Sequence, residues 1–251
     1  MGGADRMVRA VRHDRGDDEV AIEEPLEIRA GGEPLAVTMR TPGNDEELAL
    51  GFLFGEALIE EARAAGPTED LAANTVEVEG PLVRRPADRR FYTSSSCGVC
   101  GKGALEQVEV GAVPVGWEGQ APRELLAGMP ERLQQPGFTR TGGLHATGLF
   151  DLDGTALCVR EDVGRHNAMD KVIGWALRED ALPLAGRVLC VSGRLSFELV
   201  QKAARAGAPF LVGVGAPTSL AISLAEAQQI TLCGFAREGE INVYSGAGRV
   251  G

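Results

Sequence analysis

Hydrophobic and polar residues alternate in two runs near the start of the chain, at residues 20–28 and 35–39. Alternation of this kind is typical of β-strands with one buried face. The two runs flank Ala30-Gly31-Gly32, and because paired glycines favour a tight turn, the pattern predicts a β-hairpin. Residues 1 to about 17 precede this hairpin, and we expect them to form a frayed tail.

A helical period follows the hairpin. Leu48 and Phe52 lie on one apolar face of a helix that is predicted to begin at Asn44. Asn44 is the predicted N-cap, with Glu47 as its capping-box partner. Two further strand-like runs complete this part of the chain, at residues 75–79 and 89–92. Together these elements predict a small α+β domain, which we assign to residues 18–113.

Strand-like and helix-like segments alternate through the second half of the chain. The predicted strands cover residues 144–150, 155–160, 188–191, 210–214, 231–235 and 241–244, and the predicted helices cover residues 123–134, 163–177, 197–206 and 220–228. Apolar strands joined by helices imply a sheet with right-handed crossovers and helices on both faces. The predicted fold class is therefore α/β, with a three-layer domain at residues 114–251.

Composition narrows the class of ligand. A net charge of -11 and a pI near 4.9 argue against nucleic acid or an anionic membrane as a partner, because both repel an acidic surface. An anionic ligand must then be held by a local group of arginines and amides. The five cysteines, the chain length of 251 residues and the lack of a signal segment indicate free thiols and a cytoplasmic location.

Cys97 and Cys100 form a C-x-x-C pair within a run of serines and glycines, which favours an irregular loop. A helix predicted to begin near Ala104 and the ammonium group of Lys102 both favour the thiolate form, so the two cysteines are candidate catalytic nucleophiles. The pair alone leaves three interpretations open: half of a zinc site, a redox pair, or a sulfur-handling nucleophile. The remaining cysteines lie in apolar strand runs and are expected to be core residues: Cys158, Cys190 and Cys233.

Three loops at the ends of predicted strands are candidates for binding an anionic ligand. The first contains Ser192, Gly193 and Arg194, and the second spans residues 212–219. Both lead from a strand into a helix and offer glycines, hydroxyls and free amides, which suit a phosphate. Their hydroxyls also suit simple N-caps, and that alternative stays open. The third loop, at residues 235–240, is either a ligand site or a plain hairpin turn.

Polar residues also crowd the start of the helix predicted at residues 163–177. Asp162 is its predicted cap, which places Arg165 and His166 in the first turn. His145 lies in a second glycine-rich stretch. A histidine in such a position acts either in binding and catalysis or as a hydrogen-bonded scaffold residue, and both interpretations stay open for His145 and His166.

Four segments taken together resemble the motifs of the formate dehydrogenase accessory sulfurtransferase family. They lie in the family's order, at residues 96–101, 141–146, 160–168 and 191–194. The resemblance extends from about residue 20 to residue 245, and four ordered motifs are far more specific than the C-x-x-C pair alone.

The resemblance implies a sulfur carrier. Such a protein accepts sulfur from a cysteine desulfurase as a cysteine persulfide and passes it to the molybdenum cofactor, before insertion into formate dehydrogenase. Cys97 matches the persulfide-bearing position, and Cys100 is the candidate for the attack that releases the sulfur. The cofactor, in its bis(molybdopterin guanine dinucleotide) form, enters as a bound substrate, and no metal is expected on the protein itself. The resemblance further implies a cytidine-deaminase-like fold for the larger domain, and we expect a homodimer.

One family segment is implied to bind the guanine dinucleotide: Phe235, Ala236, Arg237, Glu238, Gly239 and Glu240. The full cofactor-binding prediction adds Arg165, His166, Ser192, Gly193 and Arg194. Glu240 stands where the family often carries a second arginine, and this difference weakens the expected electrostatic attraction for the cofactor.

Two interpretations that involve zinc are alternatives to sulfur transfer. A deaminase needs a glutamate near its zinc-binding histidine and a C-x-x-C in the same domain, and the sequence lacks both. A structural zinc module built from Cys97, Cys100, His145 and His166 is the other alternative.

Overall fold

The computed structural model describes residues 7–67, 74–83 and 114–251, and the backbone of Phe91 and Tyr92. Its chain divides into two compact units. The first unit contains the described residues up to Gly98 and two later segments, Gln135–His145 and Glu161–Arg178, and the second unit contains the remainder. These discontinuous units differ from the contiguous domains, 18–113 and 114–251, that the sequence predicts.

Strands predominate in the first half of the described chain, and helices alternate with strands in the second half. The strands are β1 (Val8–His13), β2 (Gly16–Ala21), β3 (Glu24–Ala30), β4 (Glu33–Arg40), β5 (Ala65–Gly66), β6 (Thr75–Val78), β7 (Phe91–Tyr92), β8 (His145–Asp151), β9 (Ala156–Asp162), β10 (Arg187–Val191), β11 (Phe210–Gly213), β12 (Thr231–Arg237) and β13 (Glu240–Ser245). The helices are α1 (Asp45–Gly55), α2 (Arg123–Ala127), α3 (Pro136–Thr141), α4 (Arg165–Arg178), α5 (Phe197–Arg205) and α6 (Ser219–Ala227), with 3₁₀ turns at Pro130–Arg132 and Ala247–Arg249.

The first unit opens with an antiparallel pair, β1 and β2. The prediction of a frayed tail at residues 1–17 is therefore wrong from Val8 onward. Val8 is buried, and the Ile22 amide donates to the Met7 carbonyl at 2.8 Å, which extends the pairing of the two strands by one residue.

The hairpin predicted around Gly31 and Gly32 is confirmed as β3 and β4. Both glycines have positive φ angles, 62° and 80°, which only glycine adopts without strain. The hairpin forms the centre of a five-stranded sheet in the order β5-β6-β3-β4-β7. This arrangement places the end of β4 against α4, where it contributes to the candidate site.

Helices α1 and α4 pack in direct backbone contact within the first unit. A Cβ atom on Gly51 would lie 1.9 Å from the Asp170 carbonyl oxygen, and one on Gly174 would lie 1.8 Å from that of Glu47. The helix predicted from Asn44 is thus confirmed, but the predicted cap is wrong. Asn44 has a left-handed backbone, and its side chain makes no capping hydrogen bond in the described structure.

The second unit is built on a mixed six-stranded sheet in the order β13-β12-β11-β10-β8-β9. Strands β10, β11 and β12 are parallel, and β8 and β13 run antiparallel to their neighbours. The core against this sheet is apolar and includes Leu126, Met129, Phe150, Val188, Cys190, Phe210, Val212, Cys233 and Ile241. The mixed α/β class is confirmed, whereas the three-layer, cytidine-deaminase-like arrangement stays a prediction.

One predicted helix of the second unit is shorter than expected. The sequence predicts a single helix at residues 123–134, but α2 ends at Ala127 and a 3₁₀ turn begins at Pro130. Proline lacks an amide hydrogen and clashes with the preceding turn, so it breaks the helix. Within the described residues, no helix is both long and apolar enough to cross a membrane.

Candidate functional site

Two loops at the carboxyl ends of parallel strands lie side by side in the second unit. One follows β10 and contains Ser192, Gly193 and Arg194, and the other follows β11. The Gly193 carbonyl accepts a hydrogen bond from the Gly215 amide at 3.1 Å. Three more backbone bonds join the loops: Val214 N to Val191 O at 3.2 Å, Leu195 N to Ala216 O at 3.1 Å, and Thr218 N to Leu195 O at 3.1 Å. The pairing of the parallel sheet therefore continues beyond the strands.

The third predicted loop joins the same group. The Phe235 amide donates to the Gly215 carbonyl at 3.2 Å. A Cβ atom on Gly215 would lie 3.0 Å from the Arg194 Cα, and one on Gly234 would lie 3.0 Å from the Pro217 Cδ, so glycine permits both close approaches. The structure thus assembles the three predicted loops into what we call the strand-end cluster, defined as residues 192–196, 214–218 and 235–240.

Backbone amides in the strand-end cluster are largely engaged. The sequence suggests that these loops offer free amides to a phosphate. That expectation is wrong for Leu195, Val214, Gly215 and Thr218, since each amide donates to the neighbouring loop. An anionic ligand at this edge must therefore depend more on side chains than the sequence suggests.

The hydroxyl groups of the cluster have structural partners as well. Thr218 Oγ1 accepts the Ala221 amide at 3.3 Å, so the N-cap alternative is confirmed for this residue. Ser192 Oγ accepts the Ala146 amide at 2.9 Å and thereby ties its loop to β8. The Arg194 side chain, in contrast, is exposed.

Residues 235–240 form the end of β12 and its turn into β13, as the hairpin alternative predicts. Phe235 is unusual because a large aromatic residue adopts a φ of 53° and still exposes 39% of its surface. The turn borders an open surface cavity of about 440 Å³, lined by Phe235, Arg237, Glu238, Glu240, Ile241 and Asn242. This cavity offers an aromatic face, one cation and two carboxylates.

The helix that carries Arg165 and His166 is confirmed as α4, in the first unit, although it begins at Arg165. Asp162 Oδ1 accepts the Gly164 amide at 2.8 Å, so Asp162 orders the approach to the helix. Arg165 and His166 are half-buried in the first turn. The Nε of Arg165 is buried and finds no hydrogen-bond acceptor among the described residues. A buried donor without an acceptor is costly, which favours an anionic ligand there.

Sequence reasoning missed Lys171. Its Nζ lies 2.7 Å from Asp162 Oδ2 and donates to the carbonyls of Thr41 at 2.9 Å and Glu161 at 3.3 Å. Lys171 is 2% exposed and Asp162 is 0% exposed, so this ion pair is desolvated and fully hydrogen-bonded. The available signal was that Lys171 lies among the apolar residues of a long helix.

The three cysteines expected in the core are buried, so that prediction is confirmed. Burial raises the pKa of Cys190 far above its usual value, and burial raises the pKa of Cys233 to about 12. These two side chains are therefore neutral thiols at physiological pH and poor nucleophiles. Cys97 and Cys100 lie outside the described residues, as do Lys102 and the helix predicted after it.

His145 begins β8 and is half-buried. Among the described residues, no group of three or more histidine, cysteine, aspartate or glutamate side chains could hold a metal ion. The zinc-module alternative uses Cys97 and Cys100 and so depends on residues outside that part of the chain.

Comparison with known proteins gives consistent matches over almost the whole chain. The model of the FdhD/NarQ family matches residues 21–251. The protein named sulfur carrier protein FdhD in Nocardia farcinica is 51% identical, with 94% of this chain and 89% of that protein covered. The protein of the same name in Mycobacterium tuberculosis is 47% identical, with 96% and 97% covered. A crystal structure from Desulfotalea psychrophila, described as a formate dehydrogenase accessory protein, has a TM-score of 0.77 and 26% identity and covers 97% of each chain.

Proposed function

Because the chain belongs to the FdhD/NarQ family, we propose that it is a sulfur carrier that acts in the maturation of formate dehydrogenase. The family predicted from the four sequence motifs is confirmed. Relatives that are named sulfur carrier proteins and match this chain along most of its length support the carrier role. The structural relative described as a formate dehydrogenase accessory protein supports the proposal that formate dehydrogenase is the client enzyme.

We propose Cys97 as the residue that carries the sulfur. The burial of three of the five cysteines leaves Cys97 and Cys100 as the remaining thiols for the chemistry, and of these two Cys97 matches the family's persulfide-bearing position. In the first step, the Cys97 thiolate attacks the outer sulfur of a cysteine desulfurase persulfide. A new S–S bond forms on Cys97 and the desulfurase thiolate leaves, so no external oxidant or reductant is needed.

The second step delivers the sulfur to the molybdenum cofactor as substrate. Cys100 thiolate attacks the inner sulfur of the Cys97 persulfide, a Cys97–Cys100 disulfide forms, and hydrosulfide leaves to the metal. A cellular thiol reductant must then reduce this disulfide before another cycle. The predicted cytoplasmic location would supply such a reductant.

The strand-end cluster is the proposed site for the guanine dinucleotide part of that substrate. Arg194 and Arg237 are exposed cations for a pyrophosphate, and the exposed ring of Phe235 offers a stacking surface for a base. Glu238 and Glu240 lie in the lining of the same cavity as Arg237. Carboxylates only accept hydrogen bonds, and the guanine edge offers two adjacent N–H donors where adenine does not, so these residues favour guanine.

Persulfide formation is tested by mass spectrometry after incubation with a cysteine desulfurase and cysteine. We expect a cyanide-labile gain of one sulfur atom in the parent chain, its loss in Cys97→Ser, and its retention in the matched core variant Cys158→Ser. A persulfide that still forms in Cys97→Ser, with the client enzyme still activated, would overturn the assignment. Zinc that co-purifies with the parent and is lost in Cys97→Ser and in Cys100→Ser would favour the zinc module instead.

Guanine binding is tested by calorimetry with GDP and ADP. We expect a Kd for GDP between about 1 μM and 1 mM and weaker binding of ADP, since fragments of a substrate bind with a part of its affinity. Equal affinity for the two nucleotides, or no heat with GDP, would contradict the guanine site. The homodimer and the cytidine-deaminase-like layering remain part of the proposal, and light scattering of the purified chain tests the first of these.

A further inference from the structure

The polar network around Asp162 extends to both sides of Arg165 and His166. On the N-terminal side, the Val163 amide donates to Thr41 Oγ1 at 3.2 Å, and the Gly164 amide donates to Asp162 Oδ1 at 2.8 Å. Both amides that precede α4 are therefore held by side chains, one of them from the end of β4.

On the C-terminal side, Asn167 continues the network. Its Nδ2 donates to Asp162 Oδ1 at 3.0 Å and to the Met39 carbonyl at 2.7 Å, and its Oδ1 accepts Thr38 Oγ1 at 3.2 Å. Asn167 is buried, and both its amide nitrogen and its amide oxygen have hydrogen-bond partners within the protein. The residue after His166 is thus bound to the same carboxylate as the residue before Arg165.

We infer that Thr41, Asp162, Asn167 and Lys171, which we call the Asp162 network, position Arg165 and His166 for an anionic ligand. The backbone is held immediately before and immediately after these two residues, which fixes the positions from which their side chains leave the helix. Lys171 neutralises Asp162 and lets the carboxylate stay buried while it organises four donors. These are positioning residues, and the inference rests on the proposed sulfur-carrier function, whose anionic substrate would supply the acceptor that the buried Arg165 Nε lacks among the described residues.

Preorganisation is the reason that a fixed backbone at Arg165 should raise the affinity for an anion. An arginine that must find its geometry during binding loses side-chain and backbone freedom at that moment, which reduces the affinity. An arginine on a fixed backbone has already lost part of that freedom when the protein folds. A purely structural network would instead stabilise the fold without any particular effect on what Arg165 binds.

Thr41 is the best residue for the test. Removal of Asp162 or Lys171 leaves a buried charge without its partner and threatens the fold itself. Thr41→Val keeps the shape and removes the hydroxyl, which accepts the Val163 amide and donates to the Ile22 carbonyl at 2.9 Å. Thr41→Ser is the matched control because it keeps that hydroxyl.

The experiment is a double-mutant cycle on the affinity for inorganic pyrophosphate, measured by calorimetry in the full chain, with stability in urea measured in parallel. We expect Arg165→Ala to weaken pyrophosphate binding about 10-fold, which corresponds to about 1.4 kcal/mol. Thr41→Val should weaken it about 3-fold when Arg165 is present and less than about 1.5-fold in the Arg165→Ala background. Thr41→Ser should bind like the parent. The loss of stability caused by Thr41→Val should be equal in both backgrounds.

An equal loss of pyrophosphate affinity from Thr41→Val in both backgrounds, or no loss while Arg165→Ala binds weakly, would overturn the inference. A parent chain that does not bind pyrophosphate contradicts the anion site at Arg165, whereas a parent chain that does not bind GDP contradicts the proposed function instead. In that case NMR of the ring protons decides the positioning, because the chain has only three histidines. The His166 signal should shift or broaden in Thr41→Val and not in Thr41→Ser, and an unchanged His166 signal would reject the network's role.

Discussion

The start of α4 and the strand-end cluster are both ordered, but by opposite means. At α4, buried side chains hold the backbone, and the central interaction is the ion pair between Asp162 and Lys171. In the strand-end cluster, backbone groups hold each other, and Gly215 makes that approach possible. The first region should therefore be disrupted when a side chain loses its charge, whereas the second should be disrupted when an atom is added.

The largest effect is expected from Lys171→Met. This change leaves the Asp162 carboxylate buried without its counter-ion, and breaking a buried pair typically costs about 3–5 kcal/mol. The matched control is Arg178→Met, because the Arg178–Glu46 pair lies at 3.2 Å but has both side chains more than 40% exposed. That control should cost less than about 1 kcal/mol.

Urea denaturation of the two variants measures both values. The double variant Asp162→Asn with Lys171→Met should recover part of the loss, since it removes both charges together. Equal losses from Lys171→Met and Arg178→Met would show that burial of the first pair does not matter to the fold.

The next effect is expected from Gly215→Ala in the strand-end cluster. The added Cβ would lie 3.0 Å from the Arg194 backbone and the Gly193 carbonyl, so the two loops must separate. Overpacking of this kind costs about 1–3 kcal/mol, and we also expect weaker GDP binding. Gly116→Ala is the control, because a Cβ there meets no described atom within 4 Å. A Gly215→Ala variant with unchanged stability and GDP affinity would mean that the loops do not depend on their close approach.

A third test concerns ionisable side chains that are buried. The first unit contains the buried ion pair of Asp162 and Lys171, whereas burial in the core of the second unit raises the pKa of Cys190 and Cys233. Below pH 9 these thiols are neutral in the folded and unfolded chain alike. Above pH 9 the unfolded chain releases their protons and the folded chain does not, so stability should fall by about 1.4 kcal/mol per pH unit for each cysteine.

The measurement is the free energy of unfolding from pH 8 to pH 11, for the parent and for Cys190→Ala and Cys233→Ala. The difference between parent and variant removes the contribution of lysines and tyrosines, which titrate in both proteins. The parent should lose stability more steeply above pH 9. Parallel curves for parent and variants would show that the buried thiols ionise in the folded protein.

The sequence predicted the two regions to different degrees, for a physical reason. Local periodicity predicts strands β10 to β12 and the helices between them. The strand-end cluster is then expected because the carboxyl ends of parallel strands lie at one edge of the sheet. The sequence did not predict the hydrogen-bond partners of the Leu195 and Gly215 amides, because hydrogen bonds between loops depend on the three-dimensional distance between the loops. The Lys171–Thr41 contact joins residues far apart in the chain, and no local pattern specifies such a partner.

The smallest effect concerns the one helix cap that the structure confirms in the strand-end cluster. Thr218→Ala removes the oxygen that accepts the Ala221 amide at 3.3 Å, and the loss of a threonine cap costs about 1 kcal/mol. Thr218→Ser keeps the acceptor and should remain close to the parent. Because the backbone bond from the Thr218 amide to the Leu195 carbonyl survives both changes, the loops should stay paired and GDP affinity should change by less than about 2-fold. Urea denaturation and calorimetry on the two variants test this, and a large loss of GDP binding in Thr218→Ala alone would show that the hydroxyl serves the ligand as well as the helix.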